Sequence, residues 1–363
     1  MRMLNPENER IKRRYFTYLK EAKRYSEATI DRVAKSLSRF EDYTRSRGFR
    51  AFRAEQAVAF KRNLTDQVSE KSGERLSKAT LYATLTDLRN FFHWLAGQPG
   101  FRSRLSYSDA DYFNLSEKDT RIAKAQRERS SPTLEQIMHV IRSMPAGTEI
   151  EMRDRAVIAF AILTGARDGA IASIRLKHVD VLQGKVHQDA REVHTKFSKT
   201  FTSCFFPVGH EVLQVVIDWI EHLRKVKLWG DDDPLFPATG VKPDANGHFA
   251  PLGLERKPWS SATPIREIFR RSFTAAGLPY FNPHSFRKTL ALLGEKLCRT
   301  PEEFKAWSQN LGHEKVLTTF TNYGALTHSR QAEILQELWD PAAHYDEELQ
   351  LARRLVRAAR RSH

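Results

Sequence analysis

The sequence predicts a mainly α-helical protein with a small β-sheet or hairpin, divided into two domains. Three observations predict this fold class. Apolar residues recur at helical spacing along most of the chain. One segment, residues 184–209, instead alternates apolar and polar residues and is rich in Val, Thr and Phe, which is typical of strands. The length of 363 residues exceeds what a single hydrophobic core commonly serves.

The first domain is predicted at residues 8–98 as a small helical bundle. A helix over 26–46 has Ser26 as its N-cap, and a helix over 77–96 ends at Gly97. A shorter helix is predicted over 55–64. Residues 99–130 are polar, charged and weakly periodic, so they are predicted to form a linker with room for one short helical piece.

The second domain is predicted at residues 131–340, followed by a basic tail at 341–363. Its first helix would be capped by Ser131 or Thr133. A buried helix, a turn at Gly165 and another helix follow, and then the strand region. The remaining segments are predicted as follows: helices over 211–227, 264–277, 284–297 and 301–310, and a loop over 231–253.

The charge balance indicates a polyanionic partner. Lys and Arg number 59 against 44 acidic residues, a net charge of +15, so double-stranded DNA is the simplest partner. No apolar run approaches the ~18 residues of a spanning helix, and no lipidation motif appears, so no membrane role is expected. Cys204 and Cys298 form neither a disulfide framework nor a metal set. We therefore expect a cytoplasmic protein that needs no cofactor, since zinc-finger, phosphate-loop and dinucleotide patterns are all missing.

The stretch NPHSFRKTLALLGEKL begins a helix with a cluster of basic side chains. His284, Arg287 and Lys288 fall at i, i+3 and i+4, so they share one face, opposite an apolar stripe. These basic side chains repel one another, so the cluster is stable only if an anion binds to it, and phosphate is the commonest candidate. The alternative is an ordinary solvated basic face. The stripe comprises Phe286, Leu290, Leu293 and Leu297.

Four motifs in order resemble those of the tyrosine recombinase (phage integrase) family. They are LTGARDGAIASIRLKHVD, SKTFTSCFFPVG, HSFRKT and LGHEKVLTTFTNYG. The resemblance spans residues 8–330 and implies a helical core-binding domain followed by an α-rich catalytic domain. It also implies six catalytic residues: Arg167, Lys199, His284, Arg287, His313 and Tyr323.

The resemblance implies a reaction that the residue types can perform. Tyr323 would attack a DNA phosphate, forming a 3′-phosphotyrosine that stores the bond energy without ATP or metal. Arg167 and Arg287 would grip the nonbridging oxygens of the transition state. Lys199 would protonate the departing 5′-oxygen, with Lys196 as the rival general acid.

The two histidines have supporting roles in this scheme. His284 would assist proton transfer to or from the tyrosine, and His313 would hydrogen-bond the scissile phosphate. The chain departs from the family at two points. The acidic residue usual three positions after the first arginine is Ala170, although Asp168 lies next to that arginine. The spacing from His313 to Tyr323 is one residue longer than usual.

The resemblance also implies how the protein engages DNA. The two domains would clamp the duplex, and many members act as homotetramers on two DNA core sites, sometimes with accessory DNA-bending proteins. A bacterial phage or mobile-element integrase is the leading expectation. The tail could exchange between subunits or simply be solvated. Candidate DNA-contacting cations are Lys288, Arg45, Arg47, Lys78, Arg89, Arg121 and Lys124.

Two other functions fit the same fold. One is a type IB topoisomerase-like enzyme that relaxes DNA as a monomer. The other is a DNA-binding protein that has lost catalysis. The separate helical domain argues against the first, and the full set of six catalytic residue types argues against the second.

Overall fold

The protein, described here from a computed structural model, comprises two compact units, Met1–Arg127 and Glu128–His363. The structure describes residues 5–68, 73–125, 130–195, 198–243 and 249–313. Helices predominate, and two small antiparallel sheets lie in the second unit, which confirms the predicted fold class. Within the described ranges, no helix has both the length and the apolarity required to span a bilayer.

The first unit is built from helices whose ends follow the local sequence signals. The Ser26 hydroxyl accepts a hydrogen bond from the Thr29 backbone N–H, and Gly97 caps the end of the fourth helix, both as predicted. The helices are α1 (Pro6–Thr17), α2 (Glu27–Tyr43), α3 (Ala54–Asp66), α4 (Lys78–Ala96), α5 (Tyr107–Asp111) and α6 (Glu117–Lys124).

The structure differs from the predicted linker over residues 99–125. Phe113 is buried and stacks on Phe52 and Phe92, with ring centroids 5.6 and 5.5 Å apart. Phe101 and Leu105 belong to the same core. Apolar residues are too sparse in this segment to form a periodic pattern, so the sequence does not predict that it packs against the bundle. Each large aromatic ring nevertheless buries enough surface to hold the segment there. The segment is therefore part of the first unit.

The second unit is built around a helix whose second half is fully buried. The elements are α7 (Leu134–Ser143), α8 (Glu149–Thr164), α9 (Asp168–Ser173), β1 (Val179–Asp180), β2 (Lys185–Gln188), β3 (Phe201–Cys204), α10 (His210–Glu221), β4 (Pro237–Pro243), β5 (Phe249–Pro258), α11 (Thr263–Ala275), α12 (Ser285–Leu297) and α13 (Pro301–Asn310). Every residue of α8 from Ala156 to Thr164 is buried, because its sequence is apolar on all sides. A helix of this kind forms the centre of a core.

The strands form two separate antiparallel sheets. One has the order β1–β2–β3, with Val186 paired to Ser203, and matches the predicted strand region. The Phe206 backbone N–H donates to the Leu163 carbonyl at 2.7 Å, so the end of this sheet is fixed to α8. In the part of the chain that the structure describes, the second sheet consists of β4 and β5.

The β4–β5 hairpin corrects the predicted loop over 231–253. Prolines and glycines make these strands poor by local propensity, and two register irregularities interrupt the pairing. The hairpin is anchored from outside, because the Arg153 guanidinium donates to the Pro237 carbonyl at 2.9 Å and to the Thr239 hydroxyl at 2.8 Å. This tertiary contact is invisible in the local sequence.

Candidate active site

The turn after α8 places the first predicted catalytic arginine. Gly165 caps the helix with φ 63°, and a Cβ there would lie 3.0 Å from Leu311 and 3.1 Å from Leu290, so only glycine fits. Arg167 follows as the N-cap residue of α9 and is half-buried. Burial lowers the pKa of its guanidinium. Among the described residues, this guanidinium has no hydrogen-bond or ion-pair partner.

Arg287 lies below the surface, which corrects the expectation of an exposed basic face on α12. Its side chain is 6% exposed. One terminal nitrogen, Nη1, donates to the Gly165 carbonyl at 2.6 Å. The other, Nη2, donates to the Leu311 carbonyl and lies 2.9 Å from His313 Nε2. Since guanidinium nitrogens only donate, His313 Nε2 accepts in this contact.

Among the described residues, no carboxylate neutralises the charges of Arg167 and Arg287. Burial, together with the positive charge of Arg167, lowers the pKa of Arg287 to about 9, which keeps it cationic at neutral pH. Within the described ranges no carboxylate forms an ion pair with either arginine, and Arg287 Nε is buried without a partner. Two desolvated cations of this kind form a site for an anion with several oxygens.

The predicted general acid, Lys199, lies in the segment that leads into β3. Lys199 is half-buried and comes two residues before β3. Asn310, the last residue of α13, is bonded to both the N–H and the carbonyl of Cys204 at the end of β3, at 2.6 and 2.9 Å. A Cβ on Gly312 would lie 3.1 Å from the Phe201 ring. The strand after Lys199 therefore packs against the segment that leads to His313.

The other two basic residues of the HSFRKT motif, His284 and Lys288, lie at the start of α12. His284 is the N-cap residue and is exposed, while Lys288 lies one turn further and is half-buried. The apolar stripe is confirmed at Phe286 and Leu290, which are fully buried, but Leu297 is 48% exposed. The stripe therefore ends before the last turn of the helix.

Asp168 forms no hydrogen bond or ion pair with Arg167 among the described residues, although it lies near the position where the family usually has an acidic residue and this chain has Ala170. Its carboxylate accepts from Arg266 Nε at 2.7 Å and from the Gly169 N–H at 2.9 Å. Ala170 is buried. Sequence reasoning missed Arg266, because it lies 98 residues from Asp168 and no periodicity connects the two. The pair fixes the first turn of α9 directly after Arg167.

Several predicted residues lie outside the described ranges. They are the nucleophile Tyr323, the rival general acid Lys196 and the tail at 341–363.

The predicted DNA-contacting cations of the first unit fall into two groups. Arg45 and Arg47 are exposed and line a shallow groove of about 440 Å³. The other four have partners within the unit. Lys78 pairs with Asp119, Arg89 donates to Asn114, Arg121 pairs with Glu117, and Lys124 lies over the Tyr82 ring. The first group is better suited to meet an external phosphate.

Comparison with known proteins extends over both units. Residues 130–330 match the profile described as "Phage integrase family", and residues 13–99 match "Phage integrase, N-terminal SAM-like domain". Tyrosine recombinase XerC of Bacillus subtilis (strain 168) is 25% identical over 306 residues, covering 84% of this chain and 88% of that protein. XerC of Actinobacillus succinogenes is 22% identical over 307 residues, covering 84% and 89%.

Solved structures show the same fold at lower identity. A lambda integrase dimer bound to a COC′ core site superposes with a TM-score of 0.59 at 13% identity, covering 88% of this chain and 99% of that chain. The Tn1549 transposon integrase in complex with transposon right end DNA gives a TM-score of 0.56 at 15% identity, covering 90% and 99%.

Proposed function

The chain belongs to the phage integrase family of tyrosine-type site-specific recombinases, and from that premise we propose that it cuts and rejoins DNA through a covalent 3′-phosphotyrosine on Tyr323. One observation carries the proposal. Arg167 and Arg287 are desolvated, cationic and without a carboxylate partner among the described residues. A DNA phosphate supplies the missing charge and the oxygens that two guanidinium groups can bind.

The chemistry assigns one task to each residue. The Tyr323 hydroxyl oxygen attacks phosphorus, a new O–P bond forms and the bond to the 5′-oxygen breaks. Lys199 donates the proton that the departing 5′-oxygen takes up, and His284 assists removal of the tyrosine proton. The two arginines stabilise the charge that develops on the nonbridging oxygens.

His313 completes the anion site. Its Nε2 lies 2.9 Å from Arg287 Nη2, so the imidazole is next to the guanidinium group that would bind the phosphate. Attack of a second DNA 5′-hydroxyl on the phosphotyrosine rejoins the strand. Because the phosphotyrosine preserves the bond energy, the scheme consumes no nucleotide and routes no step through a metal.

The proposed partners are double-stranded DNA core sites and other copies of the chain. Integrase neighbours include a dimer bound to a core site and a tetramer bound to a Holliday junction, which supports DNA binding and tetramer formation here. We assign residues 8–98 to core-site binding and residues 131–340 to catalysis. Arg45, Arg47 and Lys288 are the proposed contacts to the phosphate backbone. A mobile-element integrase is the role that these partners fit.

The test is covalent capture of DNA. A pool of duplexes with a randomised core, each nicked near its centre so that rejoining fails, is incubated with the wild-type chain. We expect a protein–DNA band that survives denaturation, and its DNA identifies the site. The matched control is Tyr323→Phe, which keeps the ring and removes the attacking oxygen.

The outcomes separate the candidate functions. Loss of the band with Tyr323→Phe supports the proposal. A band that persists with that variant would move the nucleophile to another residue. Absence of a band with the wild-type chain on a duplex that it demonstrably binds would indicate a DNA-binding protein without catalysis.

A further inference from the structure

Three polar contacts hold residues 189–195, here called the anchoring turn, between α9 and the strand after Lys199. The His194 N–H donates to the Ser173 hydroxyl at 2.8 Å. The Glu192 carboxylate lies 2.9 Å from His178 Nε2. The Ala190 N–H donates to the Thr200 hydroxyl at 3.0 Å. The turn is therefore bonded on both sides.

The first contact ties the turn to the helix that begins at Arg167. Ser173 is the last residue of α9 and is 8% exposed. Its hydroxyl donates back to the Gly169 or Ala170 carbonyl, at 3.1 and 3.2 Å, and so it is oriented to accept from His194. Because α9 is only six residues long, this bond connects the turn to Arg167 through one short rigid segment.

The second contact fixes the turn against the segment after α9. His178 is 5% exposed, and its Nδ1 accepts from the Arg175 N–H at 2.9 Å. The other nitrogen, Nε2, therefore carries the proton that is donated to Glu192. Lys177 also pairs with Glu192 at 2.9 Å. Removing Glu192 would leave a buried imidazole N–H without its acceptor.

The third contact reaches the predicted general acid. Thr200 directly follows Lys199, and its hydroxyl binds the backbone of the turn. A continuous path of covalent and hydrogen bonds thus runs from Arg167 through α9, Ser173 and the turn to Lys199. The position of Lys199, the proposed proton donor, is therefore linked to that of Arg167, the proposed phosphate-binding arginine.

We propose that Ser173, His178 and Glu192 are positioning residues that hold Lys199 in proton-transfer range of the phosphate bound by Arg167. The inference rests on the proposed function and adds residues that the six catalytic motif positions do not include. A general acid acts only within about 2.6–3.2 Å of its target, and a misplacement of about 1 Å can cost about 10²-fold in rate. Binding of DNA through arginines and backbone contacts does not require this alignment.

The experiment compares two leaving groups at one scissile phosphate. The captured duplex is synthesised with either oxygen or sulfur at the bridging 5′ position. When sulfur leaves, the Tyr323 O–P bond forms and the P–S bond breaks, and the thiolate departs without needing a proton, since a thiol has a pKa near ~8.5. A defect confined to the general acid therefore disappears with sulfur.

The variants are Ser173→Ala and Glu192→Ala, with Lys199→Ala as the reference for a missing acid. We expect both to slow cleavage of the oxygen duplex by about 10- to 100-fold and to regain the wild-type rate on the sulfur duplex. The matched control is Thr202→Ala, which removes a hydroxyl from the same hairpin that bonds the exposed His187. It should cleave both duplexes at the wild-type rate.

Other outcomes overturn the proposal. Equal slowing of Ser173→Ala on both duplexes would indicate damage to the arginine site or the fold. Wild-type rates for both variants on oxygen would show that Lys199 needs no such support, and a normal rate for Lys199→Ala would place the acid elsewhere. Absence of a covalent product with the wild-type chain on both duplexes would instead overturn the proposed function, and the positioning role with it.

Discussion

Two buried arginines in the second unit, Arg153 on α8 and Arg287 on α12, solve the problem of burying a cation in opposite ways. Their side chains are 3% and 6% exposed. Arg153 donates twice to the Asp154 carboxylate, at 3.0 and 2.6 Å, and lies over the Trp259 ring at 5.0 Å. Arg287 binds two backbone carbonyls and contacts His313.

The difference lies in charge compensation rather than in depth. Asp154 neutralises Arg153 and also accepts a hydrogen bond from Arg271 at 2.9 Å. The buried charge of Arg153 therefore has its counterion within the protein. Arg287 instead faces the positive charge of Arg167, which contributes to the lowering of its pKa. Burial of a charge therefore does not by itself mark a functional residue. A buried charge that its own fold leaves uncompensated does, because such a site requires an external ion.

The largest expected difference between the two arginines is in the rate of covalent capture. Arg287→Met should lower the rate of covalent capture by at least about 10²–10³-fold, because it removes donors to the transition-state oxygens. Arg153→Met should retain most of the wild-type rate. Both are measured with the captured duplex at a temperature where each variant keeps the wild-type circular dichroism. Comparable losses in the two variants would contradict the distinction.

Stability should respond in the reverse order. Arg153→Met should lower the free energy of unfolding of the second unit by about 3 kcal/mol, because Asp154 loses its main buried partner. Arg287→Met should change it by less than about 1 kcal/mol, since relief of an uncompensated charge offsets the lost hydrogen bonds. Urea unfolding followed by tryptophan fluorescence reports this unit, which holds five of the six tryptophans. A larger loss for Arg287→Met would make that arginine structural.

A smaller difference between the two arginines is expected in how much added sulfate stabilises the second unit. Sulfate at several times its dissociation constant should stabilise the wild-type second unit by about 1 kcal/mol relative to chloride at equal ionic strength, which corresponds to about 2–4 °C in Tm. Arg153→Met should keep this increment and Arg287→Met should lose it. Equal increments in all three proteins would mean that sulfate acts through general exclusion from the surface.

The smallest effect is the pH dependence of that increment. Without sulfate, Arg287 releases its proton near pH 9, whereas the unfolded chain keeps it to far higher pH. Above pH 9 the unfolded state thus binds more protons, and this group raises the free energy of unfolding as pH rises. When sulfate is bound, Arg287 keeps its proton to higher pH, and the free energy of unfolding no longer rises above pH 9. The stabilisation by sulfate should be constant from pH 7 to 8.5 and decline above pH 9, and an increment that stays constant to pH 10.5 would contradict the assignment.

Local signals in the sequence predict the ends of elements well. Ser26, Thr133 and Gly97 cap helices where the sequence places them, and Gly165 adopts the left-handed turn after α8. These features depend on one residue and its immediate neighbours, so no tertiary information is needed.

Features created by distant contacts escape the sequence. The β4–β5 hairpin depends on Arg153, which precedes it by 84 residues at the Pro237 contact. The docking of Phe113 onto the first unit is likewise non-local. The motif order predicts which side chains form the site, but the inward direction of Arg287 follows from carbonyls at Gly165 and Leu311. An amphipathic pattern assumes that charges point outward, and that assumption fails where backbone acceptors replace water.

The bonds of Arg287 also set the order in which the site can form during translation. Its partners Gly165 and Leu311 lie 122 residues before it and 24 residues after it. During synthesis, Arg287 therefore cannot make both of these backbone hydrogen bonds until Leu311 has been synthesised and released from the exit tunnel of the ribosome. Products of premature termination before that point therefore lack the complete anion site, so a fragment that still binds DNA would be unable to cut it.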